Sequence, residues 1–255
     1  MNFFAHKSAA ERYALHRPYF HPLVMERIKS HLGITTSVDR ALDVACGTGQ
    51  STVALKEIAD SVVGVDISAE MLKFAKQKSG IEYRNANAED LSMFEESSFN
   101  LITTSMAFHW FDHKRFLPEA HRLLKTGGWL VPYTNGFYGR MIENASFEQW
   151  SSERYATRYP APPRNSTLPT EELADKFGFS SFHMERFQNE VPFTAEELCA
   201  YLTTQSNVIA AVEQGNETIE EVYSWLVSQV KPFFHSKTAT FSFGGTIWYL
   251  QKISS

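Results

Sequence analysis

The chain has 255 residues, with 24 Lys plus Arg against 29 Asp plus Glu and a formal charge of -5. This length accommodates one large domain or two small ones, and the mild acidity argues against a broad polyanion-binding surface. At 43% apolar and 21% charged residues the chain can bury a core, its two cysteines are too few for a disulfide scaffold, and no apolar run approaches the roughly 20 residues of a spanning helix.

The opening MNFFAHKSAAERYALHRPYF lacks the continuous apolar stretch of a secretion signal, so a cytoplasmic globular protein is expected. From residue 40, short β-rich runs alternate with amphipathic segments. Residues 41–45 (ALDVA) read as a buried strand that stops at Cys46-Gly47-Thr48-Gly49, and 50–59 read as a helix burying Val53, Ala54, Leu55 and Ile58. Residues 62–66 (VVGVD) form a second strand, followed by a helix with Ser68 as N-cap and Met71, Leu72 and Ala75 as its buried stripe. Strands follow at 81–84 and 101–105, then a helix over 113–124 closed by Gly127-Gly128, then a fifth strand at 129–133. Such alternation implies right-handed crossovers and a mostly parallel α/β sheet covered on both faces. Beyond Asn135 the pattern loosens. Pro160, Pro162, Pro163 and Pro169 place loop within 136–170, helices are expected at 170–177, 194–204 and 218–233, and a strand at 182–188. The tail 238–252 reads as two β runs around Gly244-Gly245, a hairpin.

The sharpest feature is LDVACGTGQST. A strand that ends in glycines and re-enters as a helix presents backbone N–H groups and a positive helix end to a ligand. Gly47 and Gly49 can take φ > 0 and let that ligand approach without a Cβ clash. Asp66 closes the next parallel strand, where a carboxylate can accept from both hydroxyls of a ribose. The dinucleotide fingerprint G-x-G-x-x-G is not met, because counting from Gly47 its third glycine falls on Thr52. That counts against NAD(P) and an oxidoreductase.

LDVACGTGQST, VVGVDIS, NANAEDL, SMAFHWFD and HRLLKTGGWL, in that order and spacing, resemble a class I S-adenosylmethionine-dependent methyltransferase of the methyltransferase type 11 kind. The similarity covers residues 40–135 and, more loosely, the flanks. It extends to the trans-aconitate methyltransferase-like and ubiquinone-biosynthesis methyltransferase group. The resemblance implies a Rossmann-like, doubly wound, mostly parallel seven-stranded sheet with an antiparallel C-terminal strand, helices on both faces and a small cap. The expected organisation is a single domain over 1–255, with an N-terminal lid (1–30), a cofactor-binding core (40–135), cap insertions and sheet (136–235) and C-terminal strands (236–255).

It also implies a cofactor, S-adenosylmethionine, with S-adenosylhomocysteine as product. The residues it assigns are Asp43, Ala45, Cys46, Gly47 and Gly49 around the methionine end and Asp66 on the ribose. Asn87, Ala88 and Glu89 fall at the adenine, with Ile67 and Leu91 as apolar faces on the ring, and Ser105 and Met106 lie near the methyl group. Ala45 stands where the family often has a first glycine. His109, at the mouth of the site, is a candidate general base toward a hydroxyl, amine or carbon acid, or else a residue that hydrogen-bonds the backbone and shapes the pocket; a carboxylate acceptor would need no base. Tyr13, Arg17, Trp110, Tyr133 and Asn135 are candidate lid and substrate residues. Tyr13 and Arg17, four apart, share a helix face, and Arg17 suits a carboxylate of cofactor or substrate.

No metal is expected: His109 and His113 have i, i+4 spacing but no third nearby ligand. The reading is thus methyl transfer by in-line displacement to a small-molecule acceptor, a carboxylate or hydroxyl, by a monomer or homodimer with no nucleic acid or membrane partner. The alternatives are an RNA or protein methyltransferase, or a non-catalytic cofactor-binding protein.

Overall fold

The computed structural model describes residues 7–163, 165 and 167–253. Phe3, Phe4 and His6 of the expected lid lie outside the described residues. The chain falls into two compact units: a larger one of Tyr19–Thr134, Arg164–Arg186 and Thr246–Ser255, and a smaller one of Met1–Pro18, Asn135–Pro163 and Phe187–Gly245.

The larger unit holds the parallel sheet. Strands β1 (Val38–Val44), β2 (Ala59–Asp66), β3 (Ile81–Asn85), β4 (Phe99–Ser105) and β5 (Leu124–Tyr133) lie in the order β3-β2-β1-β4-β5, all parallel. Their interiors are near-continuous apolar runs, as strands covered on both faces require. Leu42, Val44, Val65, Leu101 and Ile102 are fully buried. The core around them takes in Phe94, Phe99, Phe108, Phe111, Phe116 and Phe179, so part of the phenylalanine excess is packing. Burying each such ring is worth about 1.5–3 kcal/mol. The connecting helices are short: Gln50–Leu55 stops early because Ala59 already starts β2, and Ala69–Leu72 is a single turn capped by Ser68 Oγ. Helix His113–Leu123 is capped by Asp112 and buries Phe116, Leu117, Ala120 and Leu123.

Gly127 and Gly128 do not close that helix. They lie inside β5, where Gly127 takes a φ of +81° and the β4–β5 register shifts between Phe99 and Leu101. The glycine pair lies in an irregularity of three extra residues on β5, where Gly127 takes the positive φ that glycine accommodates.

β7 (Phe179–Phe193) and β8 (Ala239–Lys252) each run through both units, and β7 pairs with β8. In the larger unit the C-terminal half of β8 pairs antiparallel with β5, Leu130 opposite Leu250. In the smaller unit its N-terminal half pairs antiparallel with β6 (Gly136–Met141), Phe137 opposite Phe243. The antiparallel C-terminal strand is therefore present, but as one unbroken strand rather than a hairpin, and among the described residues the sheet has eight strands where seven were expected. Gly244 marks a close approach, not a turn: a Cβ there would strike the Tyr138 hydroxyl and lie 2.6 Å from the Phe187 carbonyl oxygen.

The smaller unit has its own core of Phe147, Trp150, Tyr159, Phe193, Leu198, Tyr201, Leu226, Phe241 and Phe243. Its helices Ala195–Leu202 and Ile219–Val230 each begin with a complete capping box, Thr194 with Glu197 and Thr218 with Glu221. The stretch expected as partly loop carries β6 and the helical segment 146–158 before its prolines. Among the described residues no helix is long and apolar enough to cross a membrane.

Candidate functional site

The site is built at the carboxyl ends of β1, β2 and β4. After β1 the chain turns through Ala45, Gly47 and Gly49, with φ values of +59°, +55° and +75°. Gly49 is the left-handed N-cap of helix Gln50–Leu55, and its N–H donates to Cys46 O at 2.9 Å. Three alternate left-handed residues fold the loop back on itself. A side chain at Gly49 is excluded on space as well, since its Cβ would strike the Tyr83 hydroxyl and lie 2.9 Å from Tyr83 Cζ. The Tyr83 ring lies equally close over Gly64, where a Cβ would meet its Cδ1 at 2.8 Å. Tyr83 therefore braces the loop from β3, and an isolated tyrosine in a strand gave no sign of it.

Ala45 holds a left-handed conformation that costs an L-residue about 1–2 kcal/mol. Ala45→Gly should remove that strain at some cost in chain entropy, leaving the protein equally stable or about 1 kcal/mol more stable. A denaturant titration showing clear destabilisation would contradict this account of the loop.

Asp66 joins the next strand to this loop. Its Oδ2 accepts from Gly47 N–H at 2.8 Å and its Oδ1 from Ser68 N–H at 2.8 Å. Burial raises its pKa above the usual carboxylate value, and these two N–H groups pull it back. Ile67, immediately after it, is an apolar side chain 58% exposed in sequence next to that carboxylate. Asn85 Nδ2 fixes the turn by donating to the carbonyls of Asp66 and Ile67.

Asp43 is different. It is fully buried, with Oδ2 accepting from Ser51 Oγ (2.6 Å) and Thr52 Oγ1 (2.7 Å) and Oδ1 from Thr103 Oγ1 (3.2 Å). Burial pushes its pKa up to about 6 against the pull of those hydroxyls, and Asp66 adds to the rise. Its side chain ties β1 to β4 and to the first turn of the helix, and presents no surface to a ligand. Ser51, Thr52 and Thr103 were not singled out from sequence; two hydroxyls just inside a helix that follows a strand aspartate are the available signal. Cys46 is buried, and burial, with Asp43 and Asp66 nearby, raises its thiol pKa well above the ordinary value, so it packs rather than reacts. Thr48 Oγ1, in the loop itself, is buried without a hydrogen-bond partner.

Asn87, Ala88 and Glu89 form the turn after β3, where Asn87 Oδ1 accepts from Glu89 N–H and Ala88 is buried. Glu89 Oε1 accepts from Asp112 N–H at 2.9 Å, tying this turn to the start of helix His113–Leu123. Ser105 and Met106 are half-buried at the end of β4. Met106 has a φ of +56°, and its N–H donates to Tyr133 O. His109 and Trp110 sit in a 3-10 turn (Phe108–Trp110), half-buried, ring centroids 4.5 Å apart.

His113 points away from any shared ligand: it stacks on Phe108 and its Nε2 lies 2.9 Å from Phe108 O. Among the described residues no cluster of three or more His, Cys, Asp or Glu is placed to hold a metal ion. Tyr133 is buried, with His21 Nδ1 3.1 Å from its hydroxyl; burial lowers the His21 pKa to about 3, so the imidazole is neutral.

All of these belong to the larger unit. Tyr13, Arg17 and Asn135 belong to the smaller one. Asn135 is buried, and Tyr13 and Arg17 do share a face, with the Arg17 guanidinium 4.7 Å from the Tyr13 ring centroid.

Residues 42–131 match the family model of a methyltransferase domain. A Dictyostelium discoideum protein carrying the name "Putative methyltransferase" is 26% identical over 215 residues, 83% of this chain and 80% of that protein. Demethylmenaquinone methyltransferase of Staphylococcus aureus is 33% identical over 119 residues, 44% of this chain and 48% of that enzyme. The chain thus spans about half the length of the latter. Among solved structures, "a Putative Type II Methyltransferase from Anaeromyxobacter dehalogenans" superposes with a TM-score of 0.68 at 19% identity, covering 91% of this chain and 97% of that one. This last likeness concerns the fold.

Proposed function

Residues 42–131 form a methyltransferase domain of the S-adenosylmethionine-dependent class, and on that premise we propose that the protein methylates a small-molecule acceptor at a carboxylate or hydroxyl. The observation that carries the cofactor half is the Asp66 carboxylate set against the left-handed Gly47–Gly49 loop at a helix start.

The residues fit the cofactor. A carboxylate has about four acceptor positions, and Asp66 uses two on backbone N–H groups, which leaves capacity for both hydroxyls of a ribose. Exposed Ile67 would supply an apolar face to the adenine ring, and Asn87 and Ala88 on the β3 turn would hold its edge. The unpartnered Thr48 hydroxyl and the loop N–H groups suit the polar methionine end. Asp43 acts as a positioning residue that holds the loop from below, and Ser105 and Met106 border the transferred methyl.

Bound S-adenosylmethionine supplies an electrophilic methyl on a sulfonium. The chain's own work is then to align the acceptor in line with that bond and to exclude water. Half-buried Trp110 offers an aromatic face to a cation. His109 takes the proton from a hydroxyl acceptor. General-base assistance contributes about 10²–10⁴-fold, so His109→Ala should lower turnover on a hydroxyl acceptor at least tenfold without changing S-adenosylhomocysteine affinity. Unchanged turnover on such a substrate would return His109 to shaping the pocket. Under this reading the enzyme works in the cytoplasm. Transfer of labelled methyl from S-adenosylmethionine to a panel of small carboxylates and alcohols tests it, and binding of the cofactor without transfer to any of them would favour a non-catalytic role.

A further inference from the structure

The loop after β1 owes its path to side chains packed behind it, all of them in the larger unit. A Cβ on Gly47 would meet Met71 Cε at 3.0 Å, and the Met71 N–H is itself capped by Ser68 Oγ. A Cβ on Gly49 would lie 2.9 Å from Tyr83 Cζ, and one on Gly64 2.8 Å from Tyr83 Cδ1. Tyr83 stands opposite Gly64 in the β2–β3 register, two residues before Asp66 and Asn85 close those strands. Its ring therefore crosses β2 below the strand ends, and a glycine at 64 leaves it that path.

The hydroxyl does more than fill space. It donates to Lys76 O at 3.0 Å, in the connection between helix Ala69–Leu72 and β3. Burial raises the phenol pKa, Cys46 and Asp43 add to the rise, and a hydrogen bond with the Thr52 side chain pulls it back, so the phenol keeps its proton. Thr52 in turn donates to Asp43 Oδ2 at 2.7 Å. One side chain thus meets the N-cap glycine of helix Gln50–Leu55, the hydroxyl network of its first turn and the connection before β3. An apolar side chain would cover the two glycines as well, without a polar group to satisfy.

Gly47 and Gly49 can take φ of either sign, so a loop held only by its own backbone has many paths open to it. A ligand that fits one path loses affinity by the fraction of time the loop spends on others. We propose that Tyr83 is a positioning residue for the cofactor: through Gly49 and Thr52 it holds the loop after β1 on its binding path before the ligand arrives, and its hydroxyl is needed for that hold. The hold stands on geometry; its consequence for S-adenosylmethionine rests on the methyltransferase reading.

The test uses the whole protein as wild type, Tyr83→Phe, Tyr83→Leu and Gly64→Ala. S-adenosylhomocysteine affinity is read by calorimetry. Exchange of the Gly49 amide, which donates to Cys46 O, is read by NMR without ligand. Affinity should fall about threefold or more in Tyr83→Phe and about tenfold or more in Tyr83→Leu, and Gly49 should lose protection from exchange in both. The thermal midpoint of Tyr83→Phe should fall by no more than about 2–4 °C, the scale of one lost hydrogen bond. A methyl at Gly64 would lie 2.8 Å from the ring and 3.0 Å from Cys46 Sγ, so Gly64→Ala should also weaken binding. Combined with Tyr83→Leu, its effect should be smaller than in wild type, because the ring it displaces is gone.

Wild-type affinity in both Tyr83 variants overturns the proposal, as does a loss of affinity with Gly49 exchange unchanged. Wild-type affinity in Tyr83→Phe with loss only in Tyr83→Leu overturns it too, since the ring alone would then suffice. Should Tyr83→Leu not fold, Tyr83→Phe carries the comparison. Failure of wild type to bind S-adenosylhomocysteine, with Gly49 protection still dependent on Tyr83, would sink the methyltransferase reading and the cofactor role with it, and leave the hold on the loop standing.

Discussion

Replacing Asp66 by alanine should cost at least about 100-fold in S-adenosylhomocysteine affinity, because under the proposed function it removes two charge-assisted hydrogen bonds of about 1.5–3 kcal/mol each to the ribose. It also releases Gly47 N–H, which Asp66 Oδ2 holds at 2.8 Å, so the loop loses its tie to β2. The fold should tolerate the change. Asp66→Ala also leaves the Gly47 and Ser68 N–H groups without their acceptor, at about 1–3 kcal/mol for each that water does not reach, so a moderate loss of stability should accompany the loss of affinity. Asp66→Asn, which keeps one acceptor oxygen, should fall between the two in affinity. If Asp66→Ala binds as wild type does, the ribose is held elsewhere and the assignment of β2 to the cofactor fails.

Asp43→Ala should act on stability first. It strands the hydroxyls of Ser51, Thr52 and Thr103 in the interior without their acceptor, at about 1–3 kcal/mol for each that finds no substitute. A total loss of about 3–5 kcal/mol is expected, measurable by denaturant titration, with cofactor affinity falling because the loop is no longer held from below. Asp43→Asn keeps the shape and lets the hydroxyls reorient, so its cost should be smaller.

The pH dependence has a definite sign. The Asp43 pKa is raised from 3.8 to about 6 in the folded state, so over that range the folded protein binds more protons than the unfolded chain. Its contribution is fully present below pH 3.8 and is lost as pH rises through 6, a change of about 3 kcal/mol at 1.36 kcal/mol per unit. The stability of wild type relative to Asp43→Asn should therefore decline between pH 4 and 6. Parallel profiles for the two proteins would contradict the raised pKa.

Much of the larger unit was legible in the sequence because its signals are local. Apolar runs of strand length, a glycine-broken turn and Ser68 or Asp112 at a helix start are decided within a few residues, and β1 to β5 follow from them. Gly127-Gly128 and Gly244 were misread for the opposite reason. A glycine that ends a helix and one that makes room for a strand irregularity or a neighbouring strand look alike until the partner strand is known. The eighth strand and the unbroken β8 likewise depend on pairings between segments far apart in the chain.

At the site, the loop and Asp66 could be read from spacing, since a parallel sheet places consecutive strand ends side by side. The support beneath them could not. Tyr83 against Gly49 and Gly64, and the three hydroxyls around Asp43, come from two different strands and a helix. Asp43 shows the limit most clearly: the resemblance implied a place beside the methionine end of the cofactor, and only the structure shows its carboxylate buried and tied to Ser51, Thr52 and Thr103.

The central claim is that the loop after β1 and the Asp66 carboxylate bind S-adenosylmethionine. Isothermal titration of the wild-type protein with S-adenosylhomocysteine, and separately with NAD and NADP, tests it most directly. The account predicts one S-adenosylhomocysteine per chain and no heat of binding from either dinucleotide. Binding of a dinucleotide without binding of S-adenosylhomocysteine would contradict it.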